Sequence, residues 1–148
     1  MPRLDAERVT LWRTFQIAAE VVSRSIEQEM ADEFHLSLPQ FDLLAVLAQN
    51  NDQLRVKELC EQLQAVPSSL SRRIDSLVER GYVTREAAPT IDDNRAVMVR
   101  LTRPGRLCWR DANILYRRAI QRDFAGDLSE SDVLALARAI TKVAPFKK

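Results

Sequence analysis

The sequence predicts a mostly α-helical protein with a small β-hairpin wing, and two observations carry that expectation. Apolar residues recur at three- and four-residue steps through most of the 148-residue chain, the period of helices with one buried face. The exception is the stretch Asp93-Asn94-Arg95-Ala96-Val97-Met98-Val99-Arg100-Leu101, a polar turn followed by alternating apolar residues. A serine- and arginine-rich helical segment, Pro67 to Arg80, lies just upstream. A helix followed by a hairpin with a basic tip is the layout of a winged helix, whose helix enters one DNA groove while the wing reaches the next.

Each element has its own signal. Leu11, Phe15, Ala18, Val22, Ile26 and Met30 form one stripe, giving a first helix from about Asp5 to about Phe34. Ser37 with Gln40 three residues on is a capping-box pattern, and Leu36 with Phe41 fits the accompanying hydrophobic staple. The second helix then runs from Pro39 to about Gln49, burying Phe41, Leu44, Ala45 and Leu47 or Ala48. Asn50-Asn51-Asp52 is a turn, and Leu54 to Val56 is short enough for a minimal strand. A third helix, Lys57 to Leu63, places Leu59, Cys60 and Leu63 on one side.

The Pro67–Arg80 helix has proline in its tolerant first turn and stops at Gly81. Tyr82–Glu86 and Ala96–Leu101 are the hairpin strands, joined by the polar loop Pro89–Asn94. Thr102 caps a long fifth helix reaching about Phe124, where Gly126 breaks it. Ser129 with Asp132 repeats the capping-box pattern and starts a sixth helix.

Composition excludes several classes. The chain is 46% hydrophobic and 29% charged, an ordinary globular balance. No apolar run approaches the ~18 residues of a membrane span, and acids occupy the N-terminus where a signal peptide would be apolar. A cytoplasmic protein with no membrane association is the expectation. Cys60 and Cys108 sit inside helical patterns and read as inert buried thiols. A single histidine, with no metal-spaced cluster, glycine-rich phosphate loop or apolar carboxylate pair, offers no catalytic constellation. No enzyme, cofactor or metal is therefore expected.

Charge is unevenly spread although its total is only +1. Residues 1–50 hold 4 basic and 8 acidic side chains, and residues 64–106 hold 8 basic and 5 acidic. The positive excess falls on the helix-and-hairpin region, where phosphate attraction needs it.

At about 100° per residue, Leu70, Ile74, Leu77 and Val78 fall on one side of the Pro67–Arg80 helix and pack inward. Arg72 points away from them, with Ser68, Ser69, Asp75 and Ser76 on its face and Ser71 and Arg73 flanking. Small hydroxyls can approach phosphates and base edges, and an arginine fork can hold guanine at two points. Taken alone, the face reads as well as a solvated surface; the attached hairpin favours DNA. Arg95 at the hairpin tip is the candidate minor-groove probe. Asp93, two residues before it, is its candidate brace through a bidentate pair; the same pair also serves as a surface salt bridge stiffening the turn. The candidate DNA-binding residues are thus Ser68, Ser69, Ser71, Arg72, Arg73, Ser76, Asp93 and Arg95.

These residues carry a family resemblance. The segment from about Leu36 to Leu107 resembles the MarR (multiple antibiotic resistance regulator) family of bacterial transcription factors. Its wing pattern Asp-x-Arg-x-x-x-Val-x-Leu-Thr-x-x-Gly is met by Asp93, Arg95, Val99, Leu101, Thr102 and Gly105. The run Pro67-Ser68-Ser69-Leu70-Ser71-Arg72, followed by Leu77-Val78-Glu79-Arg80-Gly81-Tyr82-Val83, is similar to the family's recognition helix entering its wing. Three positions depart from the pattern. Gln64 and Val66 stand where the family often has glycine and a Ser or Asp cap, a loss on the order of 1 kcal/mol for the helix. Asn94 stands where many members carry the first of two arginines.

The resemblance implies a winged helix-turn-helix flanked by N- and C-terminal dimerisation helices. Residues 1–148 would form one domain, with 1–36 and 106–148 dimerising and 37–105 binding DNA. It implies a homodimeric regulator, a repressor, on a pseudo-palindromic operator, with the recognition helices one turn of DNA apart. Independently, Cys108, Ala112, Leu115 and Ala119 make one apolar side of the fifth helix, and Trp109, Ile114, Tyr116 and Ile120 make others apolar too. A helix apolar on several sides wants burial on several sides. The resemblance also implies release by a small aromatic ligand. Trp12, Phe15, His35, Phe41 and Trp109 could line its site, though each reads better as core or interface. The alternative function is a winged-helix module for protein–protein contact, which usually lacks the tip arginine and the hydroxyl-rich face.

Overall fold

The computed structural model describes residues 5–143 and 146. The outermost positions of the two expected dimerisation segments, residues 1–4 and 144, 145, 147 and 148, lie outside the described residues. The element order is α1 (Ala6–Phe34), α2 (Leu38–Gln49), β1 (Gln53–Arg55), α3 (Val56–Leu63), α4 (Pro67–Glu79), β2 (Val83–Ala87), β3 (Val97–Leu101), α5 (Arg103–Ile120) and α6 (Glu130–Ile140), with a π-helical segment at Gln121–Ala125. The expected helices and hairpin all form, within a few residues of their sequence-read ends. The expected fifth helix to Phe124 changes winding after Ile120. There the Gly126 amide donates to the Gln121 carbonyl, five residues back, at 2.8 Å.

The helix ends obey local chemistry. Ser37 Oγ accepts the Gln40 amide at 3.2 Å while Gln40 Oε1 accepts the Ser37 amide at 2.9 Å, closing the α2 capping box. Thr102 Oγ1 accepts the Gly105 amide at 3.1 Å and so caps α5. At the end of α4, Gly81 takes φ +75°, its amide donating to Val78 and that of Tyr82 to Leu77. This double closure is the Schellman motif, which favours glycine at the left-handed position. Gly105 is required for another reason: a Cβ there would lie 2.0 Å from the Tyr82 carbonyl oxygen.

The sheet is antiparallel with order β1-β3-β2. Val99 of β3 faces Leu54 on one side and Arg85 on the other, and Val83 pairs with Leu101. The possible minimal strand near Leu54 is therefore the third strand of the wing sheet, one residue earlier than read.

Two compact units divide the chain, one of residues 23–116 and one of residues 1–22 with 117–148. The division falls inside α1 and α5. Met30 and Leu36 on one side of the sequence, and Ala112 and Leu115 on the other, are buried in the same core as the winged-helix residues. In that core α2 is central, with Phe41, Leu43, Leu44 and Leu47 all buried. Of the expected pair Leu47 or Ala48 it is Leu47 that is buried, while Ala45 is only half-buried and Leu43 joins the core unexpected. Leu59, Leu70, Ile74, Leu77, Val83 and Val99 complete the core from the surrounding elements.

The other unit is different in kind. Leu11 and Phe15, expected on a buried stripe, are exposed, and α6 buries none of its residues. Of the six-residue stripe on α1, only Ile26 and Met30 are buried. Among the described residues Val22 is half-buried, and Leu11, Phe15 and Ala18 remain exposed.

Candidate nucleic-acid interface

The face of α4 is set by its packing. Leu70, Ile74 and Leu77 are buried at four- and three-residue steps, which leaves Ser68, Ser69, Ser71, Arg72 and Asp75 exposed. Val78, expected on the packed side, is instead 37% exposed, because the inward stripe ends with Leu77 before the turn at Gly81. Arg73 is half-buried and flanks the face beside Asp42 of α2. Burial pushes the Asp42 carboxyl above its ordinary value, with the Arg73 charge pulling the other way.

Ser76 has a partner inside the protein. It is half-buried, and its Oγ accepts Gln40 Nε2 at 2.8 Å, linking α4 to the capping box of α2. Its sequence-based placement on the open face reflects helical angle alone, and Gln40 comes from 36 residues earlier. The start of α4 is open: Val66 provides no capping side chain. Gln64 holds φ +50° at the end of α3, a left-handed position that suits glycine.

The wing tip is a closed, polar loop. The Ala88 amide donates to the Ala96 carbonyl at 2.9 Å at its base. Within it the Thr90 amide donates to the Asp93 carbonyl at 2.8 Å, and Thr90 Oγ1 accepts the Asp93 amide at 2.9 Å. Asp93 Oδ1 accepts the Arg95 backbone amide at 2.9 Å. The expected bidentate brace on the guanidinium is absent among the described residues. A carboxylate two residues before an amide closes an Asx turn more readily than it reaches a long side chain. Asp93 thus shapes the backbone at the tip, and the exposed Arg95 side chain has no hydrogen-bond partner among the described residues.

Two residues without a signal in the sequence, Arg85 and Arg55, and one read there only as a cap, Gln40, hold this arrangement. Arg85 of β2 is ion-paired with Asp75 of α4 and donates to the Ser71 carbonyl at 3.2 Å. Arg55 of β1 donates to the Ala88 carbonyl at the loop base at 2.7 Å. Gln40 holds Ser76. Each is an ordinary polar residue in the sequence, and no spacing rule marks its partner. Beneath the loop a groove of about 580 Å³ is lined by Arg55, Lys57, Cys60, Pro67, Asp93 and Arg95 among others, so Lys57 and Arg95 share one cleft.

The aromatic residues and His35 that could line a ligand site have plain local environments. Phe41 is buried against Tyr116, with ring centroids 4.7 Å apart. Trp109 is half-buried against the same core, its Nε1 enclosed without a hydrogen-bond partner. His35 is exposed at φ +53° and ends α1. Trp12 and Phe15 are exposed neighbours on α1.

Comparison with known proteins agrees with this geometry. A family model described as MarR family matches residues 36–90. The HTH-type transcriptional regulator TcaR of Staphylococcus aureus (strain Newman) is 26% identical over 106 residues, 72% of this chain and 68% of that protein. Among solved structures, Sco3205, a MarR family transcriptional regulator from Streptomyces coelicolor in complex with DNA, superposes with a TM-score of 0.88 at 25% identity. The match covers 97% of this chain and 90% of that one. A cysteine-to-serine mutant of MarR from E. coli complexed with operator DNA gives 0.79 at 25% identity, covering 96% and 100%. The chain thus resembles MarR family transcriptional regulators, in sequence over residues 36–90 and in fold over nearly its whole length.

Proposed function

We propose that the protein acts as a homodimeric repressor on a pseudo-palindromic operator, with α4 in the major groove and Arg95 in the adjacent minor groove. One observation carries this reading. A single compact unit presents Ser68, Ser69, Ser71 and Arg72 on an open helix face and Arg95 on a braced tip, and among the described residues none of these side chains is engaged within the protein. Arg73 and Asp93 support the same surface from its edges, Asp93 through the backbone. Residues 37–105 are the reading part of one domain, and 1–36 with 106–148 are its dimerisation part. The uncovered apolar residues of α1 and α6, Leu11, Trp12, Phe15, Val133, Leu134 and Leu136 among them, are what a second copy would bury.

A non-enzymatic, cytoplasmic role fits relatives named as transcriptional regulators and the lack of a membrane-crossing helix among the described residues. Release by a small aromatic ligand completes the proposal; a thermal-shift screen followed by DNA release assays tests it.

The test of the DNA reading is affinity for duplex from upstream of the protein's own gene across a salt series. Arg72→Ala and Arg95→Ala should each weaken binding by ~1–3 kcal/mol while the dimer persists. Unchanged affinity in both would remove these residues from the interface. Light scattering should show a dimer, lost when the helix after Ser129 is deleted; a stable monomer would remove the paired half-site geometry.

A further inference from the structure

Arg80 makes an unusual set of contacts for a residue outside the open face of α4. Its Nη1 donates to the His35 carbonyl at 2.5 Å and its Nη2 to the Phe34 carbonyl at 2.9 Å. Its guanidinium carbon lies 4.8 Å from the centre of the Tyr82 ring, and Nη2 is 3.5 Å from the Tyr82 hydroxyl. The Cys108 thiol of α5 interacts with that same hydroxyl. The last carbonyls of a helix lack intrahelical donors and carry the negative end of its dipole. The last turn of α1 contains no basic residue of its own. Arg80, 45 residues later, supplies the missing donor and charge.

We propose that Arg80 is a positioning residue for DNA binding: it ties the end of α4 to the last turn of α1 and so holds the recognition helix at the angle its open face requires. The proposal rests on the reading of α4 as the DNA-contacting helix. Arg80 caps the far end of α4, three turns and about 18 Å along the axis from Ser68. Gly81 and Tyr82 close that end with the Schellman bonds, so the backbone carrying Arg80 has little freedom. Ser76, one turn earlier, is held by Gln40 of α2. The C-terminal half of α4 is thereby attached to α1 and α2 by polar bonds of defined direction, on top of the non-directional packing of Ile74 and Leu77. Arg80→Gln removes the two-carbonyl grip and the stacked charge. Arg80→Lys keeps the charge but not the planar fork.

Anisotropy titrations over a salt series separate positioning from contact. Arg80→Gln should weaken operator binding on the order of tenfold, with the same log–log salt slope as the parent, and Arg80→Lys should recover part of the loss. Arg72→Ala, by contrast, acts at the DNA-facing surface. Hydrogen exchange should speed up together at Arg80–Tyr82 and in the last turn of α1. Parental affinity in Arg80→Gln, or a slope shallower by about one unit as for a phosphate contact, overturns the proposal. Should the parent bind no duplex, the DNA reading fails on its own, and unchanged exchange in Arg80→Gln would separately refute the tie. Where Arg80→Gln does not fold, Arg80→Lys carries both measurements, and full parental affinity and exchange in it would show that the fork is dispensable.

Discussion

Arg85 of β2 is ion-paired with Asp75 of α4 while also donating to the Ser71 carbonyl, so the first wing strand is fastened to the helix beside it. Both side chains are partly solvated, at 34% and 58% exposure, which limits the pair to ~0–1 kcal/mol of stability. A double-mutant cycle with Arg85→Ala and Asp75→Ala, read by denaturant unfolding, should give a coupling in that range. A coupling above about 2 kcal/mol would contradict the solvated-pair account.

Asp93 works through its acceptor, since its carboxylate holds the Arg95 amide. Asp93→Asn keeps an acceptor of the same reach and should preserve slow exchange of the Arg95 amide by NMR. Asp93→Ala should lose that protection and about 0.5–1.5 kcal/mol of stability. Equal loss in both variants would mean that charge, not geometry, holds the tip.

The start of α4 is under-capped. Val66→Ser places a hydroxyl within reach of the free first-turn amides and should raise stability by ~1 kcal/mol in thermal unfolding. Gln64→Gly relieves the left-handed position at φ +50° and should add a similar gain. Neither side chain belongs to the open face, so DNA affinity should change little.

Gly105 admits no substitute. A Cβ 2.0 Å from the Tyr82 carbonyl oxygen meets rigid backbone. Gly105→Ala should cost ~1–3 kcal/mol or more, whereas Gly81→Ala meets no atom and is penalised only through φ +75°. Unfolding curves of the two variants would rank them; a milder Gly105→Ala would refute the clash.

Acid should loosen α6. Asp132 accepts the Ser129 amide at 2.9 Å and the Ser129 hydroxyl at 2.8 Å, which lowers its carboxyl below the ordinary value of 3.8. A depressed folded-state value means stability that is present above the unfolded value and lost as pH falls through the folded one. Asp132→Ala should therefore be less stable than the parent at pH 7, with the gap closing below about pH 4. A gap independent of pH would show that the carboxylate charge plays no part.

Much of this molecule is readable by eye because its signals are short-range. The capping pairs Ser37–Gln40 and Ser129–Asp132, the stop at Gly81 and the alternation Val97-Val99-Leu101 all lie within a few residues of what they control. The open face of α4 followed from the same logic, since Leu70, Ile74 and Leu77 place Arg72 opposite them at a helical period. The burial of α1 did not follow. Period identifies an apolar stripe but not what covers it, and Leu11 and Phe15 remain exposed among the described residues.

Local signals settled the elements to within a few residues and the packed stripe Leu70, Ile74 and Leu77 of α4, because backbone hydrogen bonding and side-chain period act over one or two turns. Packing alone decided that Ser76 is taken by Gln40, that Arg85 rather than Arg95 finds a carboxylate, and that Arg80 closes the end of a helix 45 residues away. Those partners are brought together by the collapse of a shared core around α2. No local spacing encodes a meeting that depends on how separate helices come to lie against one another.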